Sequence, residues 1–418
     1  MSARVPGPGD WDDHRTDRST LRPDTLAVRG GLVRSGFGEL SEGLFLTQGY
    51  AYASAAEAEA GFAGEVDRFL YSRYGNPTVS TFEERLRLLD GAEAAYATAT
   101  GMSAVFTTLA ALVRQGSRVV AARALFGSSV VIFDEILAKW GVRTDYVDGH
   151  VPEQWEAALA TPADVVFFET PSNPMQDLVD IAAVSRLAHA AGAVVVVDNV
   201  FATPVFSRPL EHGADVVVYS ATKHIDGQGR VLGGAILGSE GFVHGPVQTL
   251  IRNTGPSLSP FNAWVLLKGL ETMSVRVRHQ AASALELATW LEQHPGVARV
   301  RYPFLPSHPQ HDLARAQQSG GGTVVTFDLA VPGDASADVA KKATFGVLDA
   351  LRVVDISNNL GDAKSIATHP ATTTHRKLGA AGRAAVGIGE ATVRLSVGLE
   401  DVEDLRDDLE RGLSTLSR

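Results

Sequence analysis

Short apolar runs alternate with amphipathic stretches through the middle of this chain. AAYATAT (94–100), SRVVAA (117–122), DVVFFE (164–169), AVVVVD (193–198) and DVVVYS (215–220) are nearly continuous in Ala, Val and Phe. Such runs read as strands buried on both faces, as in a parallel sheet. The segments between them predict helices. Asn76-Pro77 is a cap and first-turn pair, after which Val79, Phe82, Leu86 and Leu89 recur on one helical face until Asp90-Gly91 ends the segment. Ile181, Val184, Leu187 and Ala188 form a second apolar stripe, stopped by Gly192 before the run that begins at Ala193. Strand, helix and strand in this order predict an α/β fold with a mostly parallel central sheet. Beyond about residue 270 the pattern becomes a long helical stretch (271–294), followed by strand-like TVVTFDL (323–329) and TVRLSVGL (392–399). This second region predicts a smaller C-terminal α/β domain.

Residues 1–23 are rich in Pro, Gly, Asp and Arg and poor in large apolar groups, the composition of a flexible tail. The expected organisation is therefore a tail over 1–23, an N-terminal arm over 24–75, a large domain over 76–270 and a small domain over 271–418. The total of 418 residues agrees with two or three domains. A net charge of −11 without a basic cluster argues against a nucleic-acid partner. The absence of cysteine excludes disulfides, thiolate metal sites and cysteine nucleophiles. No metal is expected. The acidic, Pro-containing start is unlike a signal peptide, and no apolar run approaches the roughly 20 residues of a membrane span. A cytoplasmic metabolic enzyme acting on small molecules is the expectation.

In open α/β sheets ligands bind beyond the carboxyl ends of the strands, so the polar residues that end each apolar run carry the candidate chemistry. Thr100-Gly101-Met102-Ser103 follows a strand and opens a helix, where free N–H groups and the helix dipole suit a phosphate. Glu169-Thr170-Pro171-Ser172-Asn173-Pro174 ends a second run, Asp198-Asn199 a third and Ser220-Ala221-Thr222-Lys223 a fourth. Taken singly, each has an ordinary structural explanation. Together they offer a phosphate cradle, a carboxylate for a pyridinium nitrogen and an amine for a Schiff base, the needs of pyridoxal-5′-phosphate (PLP) chemistry.

With YSRYGNPT (71–78), ATGMSA (99–104), ETPSNP (169–174), DNVFATP (198–204), SATKH (220–224) and RLSVGLE (394–400) in this order, the chain resembles the γ-family of fold-type I PLP enzymes, the Cys/Met metabolism family, over 25–418. The resemblance implies the aspartate aminotransferase-like fold. It implies that Lys223 carries the cofactor and shuttles protons, that Asp198 pairs with the pyridine nitrogen, and that Gly101, Met102, Ser220 and Thr222 hold the phosphate. It further implies that Asn173 contacts the ring hydroxyl, that Arg394 clamps the substrate α-carboxylate, and that Tyr71 and Arg73, on the arm, reach the phosphate of a neighbouring subunit. At least a dimer follows, and the family is usually tetrameric.

Where many members carry a ring-stacking tyrosine, this chain has Leu125-Phe126-Gly127. Phe126 stacks but moves no proton, so acid assistance falls to Lys223 or Tyr71. With HIDGQGRVLGG (224–234) and DISNNLGDAKSIATHPATTTH (355–375), this feature is similar to the homoserine-ester sulfhydrylases. That similarity implies γ-replacement of the succinyl ester of homoserine by hydrosulfide to give homocysteine and succinate, in methionine biosynthesis. Acetyl-ester sulfhydrylase, cystathionine γ-synthase and γ-lyase activities are the alternatives within the family. Arg230, just beyond Lys223, is the candidate partner for the distal carboxylate of the ester. A dinucleotide oxidoreductase finds support only in Gly227-Gln228-Gly229, without the required first-strand glycine pattern. A degenerate, non-catalytic scaffold would be expected to lose Lys223 or Asp198, and both are present.

Overall fold

A computed structural model describes residues 21–333 and 335–417 of the chain. Most of the expected tail, 1–20, lies outside the described residues, and Pro23 already opens a helix, Pro23–Arg29. The first seven strands are β1 (Ala94–Thr98), β2 (Arg118–Ala122), β3 (Arg143–Val147), β4 (Val165–Glu169), β5 (Val194–Asp198), β6 (Val216–Tyr219) and β7 (Gly234–Gly238). After the long helix Pro260–Gln293 come β8 (Val297–Arg301), β9 (Val324–Leu329), β10 (Asp355–Ile356), β11 (Ile366–Thr368) and β12 (Thr392–Ser396). The five apolar runs each form a strand. The helix stripe after Asn76-Pro77 forms Pro77–Asp90, and that before Gly192 forms Ile181–Ala190.

The described residues divide into two compact units: one takes in those up to Ala111 with Tyr219–Asp226 and Arg230–Thr272, the other Leu112–Val218, Gly227–Gly229 and those from Met273 onward. In the first, β1 and β7 pair antiparallel, with Ala94 opposite Gly238 and Thr98 opposite Gly234. Helix Pro77–Asp90 starts where the Asn76 side chain accepts from the N–H groups of Thr78 and Val79, and stops at Gly91, whose φ of +79° is the left-handed region glycine favours. Its Arg85 is fully buried, donating to Gly30 O at 2.8 Å and to Glu42 at 2.5 Å, while Lys268 reaches the other Glu42 oxygen at 2.7 Å. A buried guanidinium is tolerated because it is paired and hydrogen-bonded. Here it ties the arm to the helix.

In the second unit, parallel strands lie in the order β6-β5-β4-β2-β3. Val166, Phe167, Val196 and Val197 are wholly buried, as the uninterrupted apolar runs require. The register sets Glu169 beside Asp198, and Asp198 beside Val218, so the carboxyl ends of three adjacent strands are level. A second sheet, β10-β11-β12-β9-β8, is antiparallel except between β10 and β11. Its core packs Phe327 and Leu395 with Leu287, Leu291, Leu405 and Leu409, each buried side chain contributing about 2 kcal/mol.

β8, β10 and β11 were not anticipated, and three further elements differ from expectation. β3, RTDYV, is an edge strand that carries the exposed Arg143 and the partly exposed Asp145, and β7, GAILG, has glycine at both ends and only three apolar residues between them. The long helix begins at Pro260, eleven residues before 271, because Ala263, Leu266, Leu267 and Leu270 extend its buried stripe upstream. No helix among the described residues is long and apolar enough to cross a membrane.

Candidate active site

Asp198 is the last residue of β5, and its Oδ1 accepts the N–H of Val200 at 3.1 Å. Neighbouring residues in register on parallel strands project from the same face, which places Glu169 of β4 beside it. Glu169 is buried, and its Oε1 accepts the backbone N–H of Phe126 at 2.6 Å. Burial, and then the charge of Asp198, push the Glu169 carboxyl well above the usual carboxylate range. Phe126 follows β2 and is half-buried.

The loop beyond Glu169 is fastened to the second sheet of the same unit. Thr326 Oγ1 donates to Pro174 O at 2.5 Å and Gln176 Nε2 to Val324 O at 2.8 Å. Arg394, in the middle of β12, is 1% exposed. Its Nη1 donates to Asn173 Oδ1 at 3.1 Å, and its Nη2 to the carbonyls of Asn358 and Asn359 at 3.0 and 2.8 Å. Its Nε is buried and, among the described residues, has no hydrogen-bond partner. Burial lowers the guanidinium to about 10, so it stays a cation at neutral pH. His375 Nε2 faces Asn173 O at 3.1 Å, and burial, then the Arg394 charge, push that imidazole down to about 4. Arg394 is thus a charged fork whose Nε–H alone lacks a partner among the described residues, in surroundings that carry no competing cation from His375.

In the first unit, Thr100 caps the helix Gly101–Leu112: Ser103 N–H donates to its Oγ1 at 3.0 Å and Ala104 N–H to its carbonyl at 3.1 Å. The N–H groups of Gly101 and Met102 remain for an outside acceptor. A Cβ on Gly101 would stand 2.5 Å from Ser220 Cβ, so only glycine lets the helix start approach Ser220. Lys223 N–H donates to Ser220 O at 3.2 Å, which turns the chain after β6. The Thr222 hydroxyl is engaged with Gly233, donating to its carbonyl at 3.2 Å and accepting its N–H at 3.1 Å. That pair closes the base of the loop carrying Lys223 and Arg230.

Within the loop, Asp226 is fully buried and receives Arg230 N–H at 2.6 Å and Arg230 Nε at 2.9 Å. Arg230 Nη2 donates to the Asp226 carbonyl at 2.9 Å, which leaves Nη1 as the end not engaged by Asp226. Arg73 lies over the rings of Tyr71 and Tyr74, 5.3 and 4.9 Å from their centroids, and donates to the Arg252 carbonyl.

Taken unit by unit, these groups are donors suited to a phosphate in the first and to a carboxylate in the second. Gly101 and Met102 offer paired donors with close backbone approach, Asn173 keeps its amide NH2 once Arg394 has taken its oxygen, and the buried Arg394 Nε suits a carboxylate. Sequence reasoning gave no role to Glu169, Asp226 or His375, although all three lie inside segments it singled out and each bonds to a candidate residue of its own unit.

The profile of the Cys/Met metabolism PLP-dependent enzymes matches residues 24–414. The chain is 63% identical to an O-succinylhomoserine sulfhydrylase of Mycobacterium tuberculosis over 96% of its own length and 100% of the relative's. It is 49% identical to one of Pseudomonas aeruginosa over 97% and 99%. The crystal structure of a cystathionine gamma synthase from Xanthomonas oryzae pv. oryzae, 33% identical, superposes with a TM-score of 0.88 over 95% of this chain and 99% of that one. With this match running along nearly the whole chain and the donor set in place, the protein belongs to the Cys/Met metabolism family of PLP-dependent enzymes, on the fold-type I scaffold.

Proposed function

We propose that the chain catalyses γ-replacement: hydrosulfide takes the place of succinate on the γ-carbon of O-succinylhomoserine, giving homocysteine and succinate, a step of methionine biosynthesis. The observation that carries this reading is the 63% identity, along almost the full length of both chains, with a protein named for that activity. PLP, when bound, supplies the electron sink that makes the substrate α-carbon acidic. In this reading Lys223 carries the cofactor and, once released, moves protons at the substrate α- and β-carbons. Asp198 holds the proton on the ring nitrogen. The Gly101 and Met102 N–H groups, with Ser220, hold the phosphate, Thr222 joins them by turning its hydroxyl proton from the Gly233 carbonyl, and Asn173 donates to the ring oxygen.

Arg394 takes the α-carboxylate on its unpartnered edge, and its fixed plane orients the γ-carbon. Arg230, steadied by Asp226, takes the distal carboxylate of the succinyl group. Phe126 stacks on the ring and brings no hydroxyl to the leaving group, so Tyr71 or Lys223 assists its departure. Its apolar edge favours hydrosulfide over zwitterionic cysteine, which would have to shed more water. Tyr71 and Arg73 serve the phosphate of a neighbouring subunit, in a cytoplasmic homotetramer whose arms are shared. The test is a product assay of holoenzyme with succinyl and acetyl esters, each offered hydrosulfide or cysteine. Homocysteine from the succinyl ester as the fastest combination is expected; cystathionine from cysteine, or keto-acid release without a nucleophile, as the fastest would replace this reading with the synthase or the lyase.

A further inference from the structure

Glu169 has no part in the reaction as described above, yet it is buried beside Asp198. In-register neighbours at the ends of β4 and β5 aim two carboxyl groups into one small volume. A buried carboxylate beside a second, partly buried one is repelled by it, and the pair is relieved when one of them keeps its proton. Glu169 is the one raised, by burial first and by Asp198 next, while the N–H groups of Phe126 and Asn173 work in the opposite direction. A neutral carboxyl still offers a carbonyl-type acceptor, and its Oε1 receives Phe126 N–H at 2.6 Å.

The far side of the same residue is held too. Phe126 O accepts the N–H groups of Ser129 and Val130 at 2.8 and 3.3 Å, and the adjoining Gly127 runs past Thr374 O, which an added Cβ would meet at 3.2 Å. Glu169 is therefore the support on the N–H side of a residue whose ring is half-buried and whose backbone is otherwise confined.

We propose that Glu169 is a positioning residue: it fixes the Phe126 backbone, and through it the aromatic ring, relative to Asp198. This rests on the reading that Phe126 lies on the cofactor ring. Glu169 touches neither cofactor nor substrate in this role; it acts through the Phe126 peptide, and as a neutral acid it does so without adding a second charge beside Asp198.

Three variants separate this role from a merely structural one. Glu169→Gln is neutral, keeps the acceptor oxygen and offers Asp198 an N–H, so it rescues the wild-type behaviour. Glu169→Asp keeps the carboxyl but is one methylene too short to reach Phe126 N–H, and Glu169→Ala removes the acceptor. The readouts on holoenzyme are hydrogen–deuterium exchange over 123–131, the visible circular dichroism of the bound cofactor, and kcat against KM. Asp and Ala are expected to speed exchange of the Phe126 amide about tenfold, to diminish the visible dichroism, and to lower kcat about tenfold with little change in KM. Gln is expected to retain all three. Unchanged exchange and dichroism in Asp and Ala, or a Gln variant as impaired as Asp, overturns the proposal. If Ala yields no folded protein, the Gln and Asp pair decides alone. The exchange readout needs no turnover, so failure of the sulfhydrylase reading would be seen separately, as wild-type protein without that activity.

Discussion

Asn173 Oδ1 accepts a hydrogen bond from Arg394 Nη1 at 3.1 Å, so the loop after β4 and the middle of β12 orient one another's functional side chains. The same bond turns the Asn173 amide nitrogen away from Arg394, and it fixes the guanidinium plane from one side while the Asn358 and Asn359 carbonyls fix it from the other. A residue assigned to the cofactor and a residue assigned to the substrate are thereby a single unit.

Arg394→Lys is accordingly expected to raise KM for the ester by about 100-fold, because a point charge satisfies neither the two carbonyls nor a carboxylate held edge-on. Asn173→Ala is expected to raise it by about tenfold, through loss of alignment alone. Steady-state kinetics of the two variants check this. A lysine variant with wild-type KM would mean that another residue binds the α-carboxylate.

Asp198→Asn should retain bound cofactor and lose at least about 100-fold in kcat, since a neutral partner no longer holds the ring-nitrogen proton. The deuterium isotope effect on the α-proton, measured by stopped flow, should rise with the loss as proton abstraction becomes rate-limiting. A near wild-type rate would remove Asp198 from the mechanism.

Arg230→Ala should reduce the ratio of kcat/KM for the succinyl ester over the acetyl ester by about tenfold, the order expected for one hydrogen-bonded charge pair. Asp226→Asn should move the ratio in the same direction by releasing the arginine. An unchanged ratio in both would assign the distal carboxylate elsewhere.

Stability should depend on pH through His375, whose folded value of about 4 lies below the 6.5 of the unfolded chain. The unfolded state then binds more protons between these values, so stability is full above 6.5 and falls as pH drops toward 4. Between pH 7 and 5 this histidine contributes a loss of about 2 kcal/mol. Urea unfolding at fixed protein concentration tests it: His375→Gln should flatten that slope, and an unaltered slope would show that the imidazole is not buried as a neutral ring. His308, also pushed down to about 4 by burial, adds a parallel contribution that the variant leaves in place.

The parallel sheet and the ends of its strands were legible because burial on both faces demands long apolar runs, and the polar residue that ends each run is conspicuous. β3 was not, because an edge strand is free to carry Arg143 and Asp145, which pair with each other in the open. Lys223 and Asp198 stand out in the sequence through their motifs, and the strand ends at which those motifs place them are where the structure has them. Glu169 was visible as a residue, but the upward push on its carboxyl comes from burial and from the register of β4 against β5, a relationship that no local pattern encodes. Arg230 was legible as a cation near Lys223, whereas its partner Asp226 is found only by following the chain back through Gly227 and Gly229, both at positive φ.

The reaction proposed for this chain joins hydrosulfide to the homoserine skeleton on a cofactor carried by Lys223. Holoenzyme given O-succinylhomoserine with hydrosulfide and cysteine at equal concentrations, and read by mass spectrometry, tests it most directly, with Lys223→Ala as the control that should show neither product nor the visible band of bound cofactor. Homocysteine in large excess over cystathionine, formed only by the wild type, is the predicted result; cystathionine as the main product, or homocysteine from the Lys223→Ala variant, would contradict it.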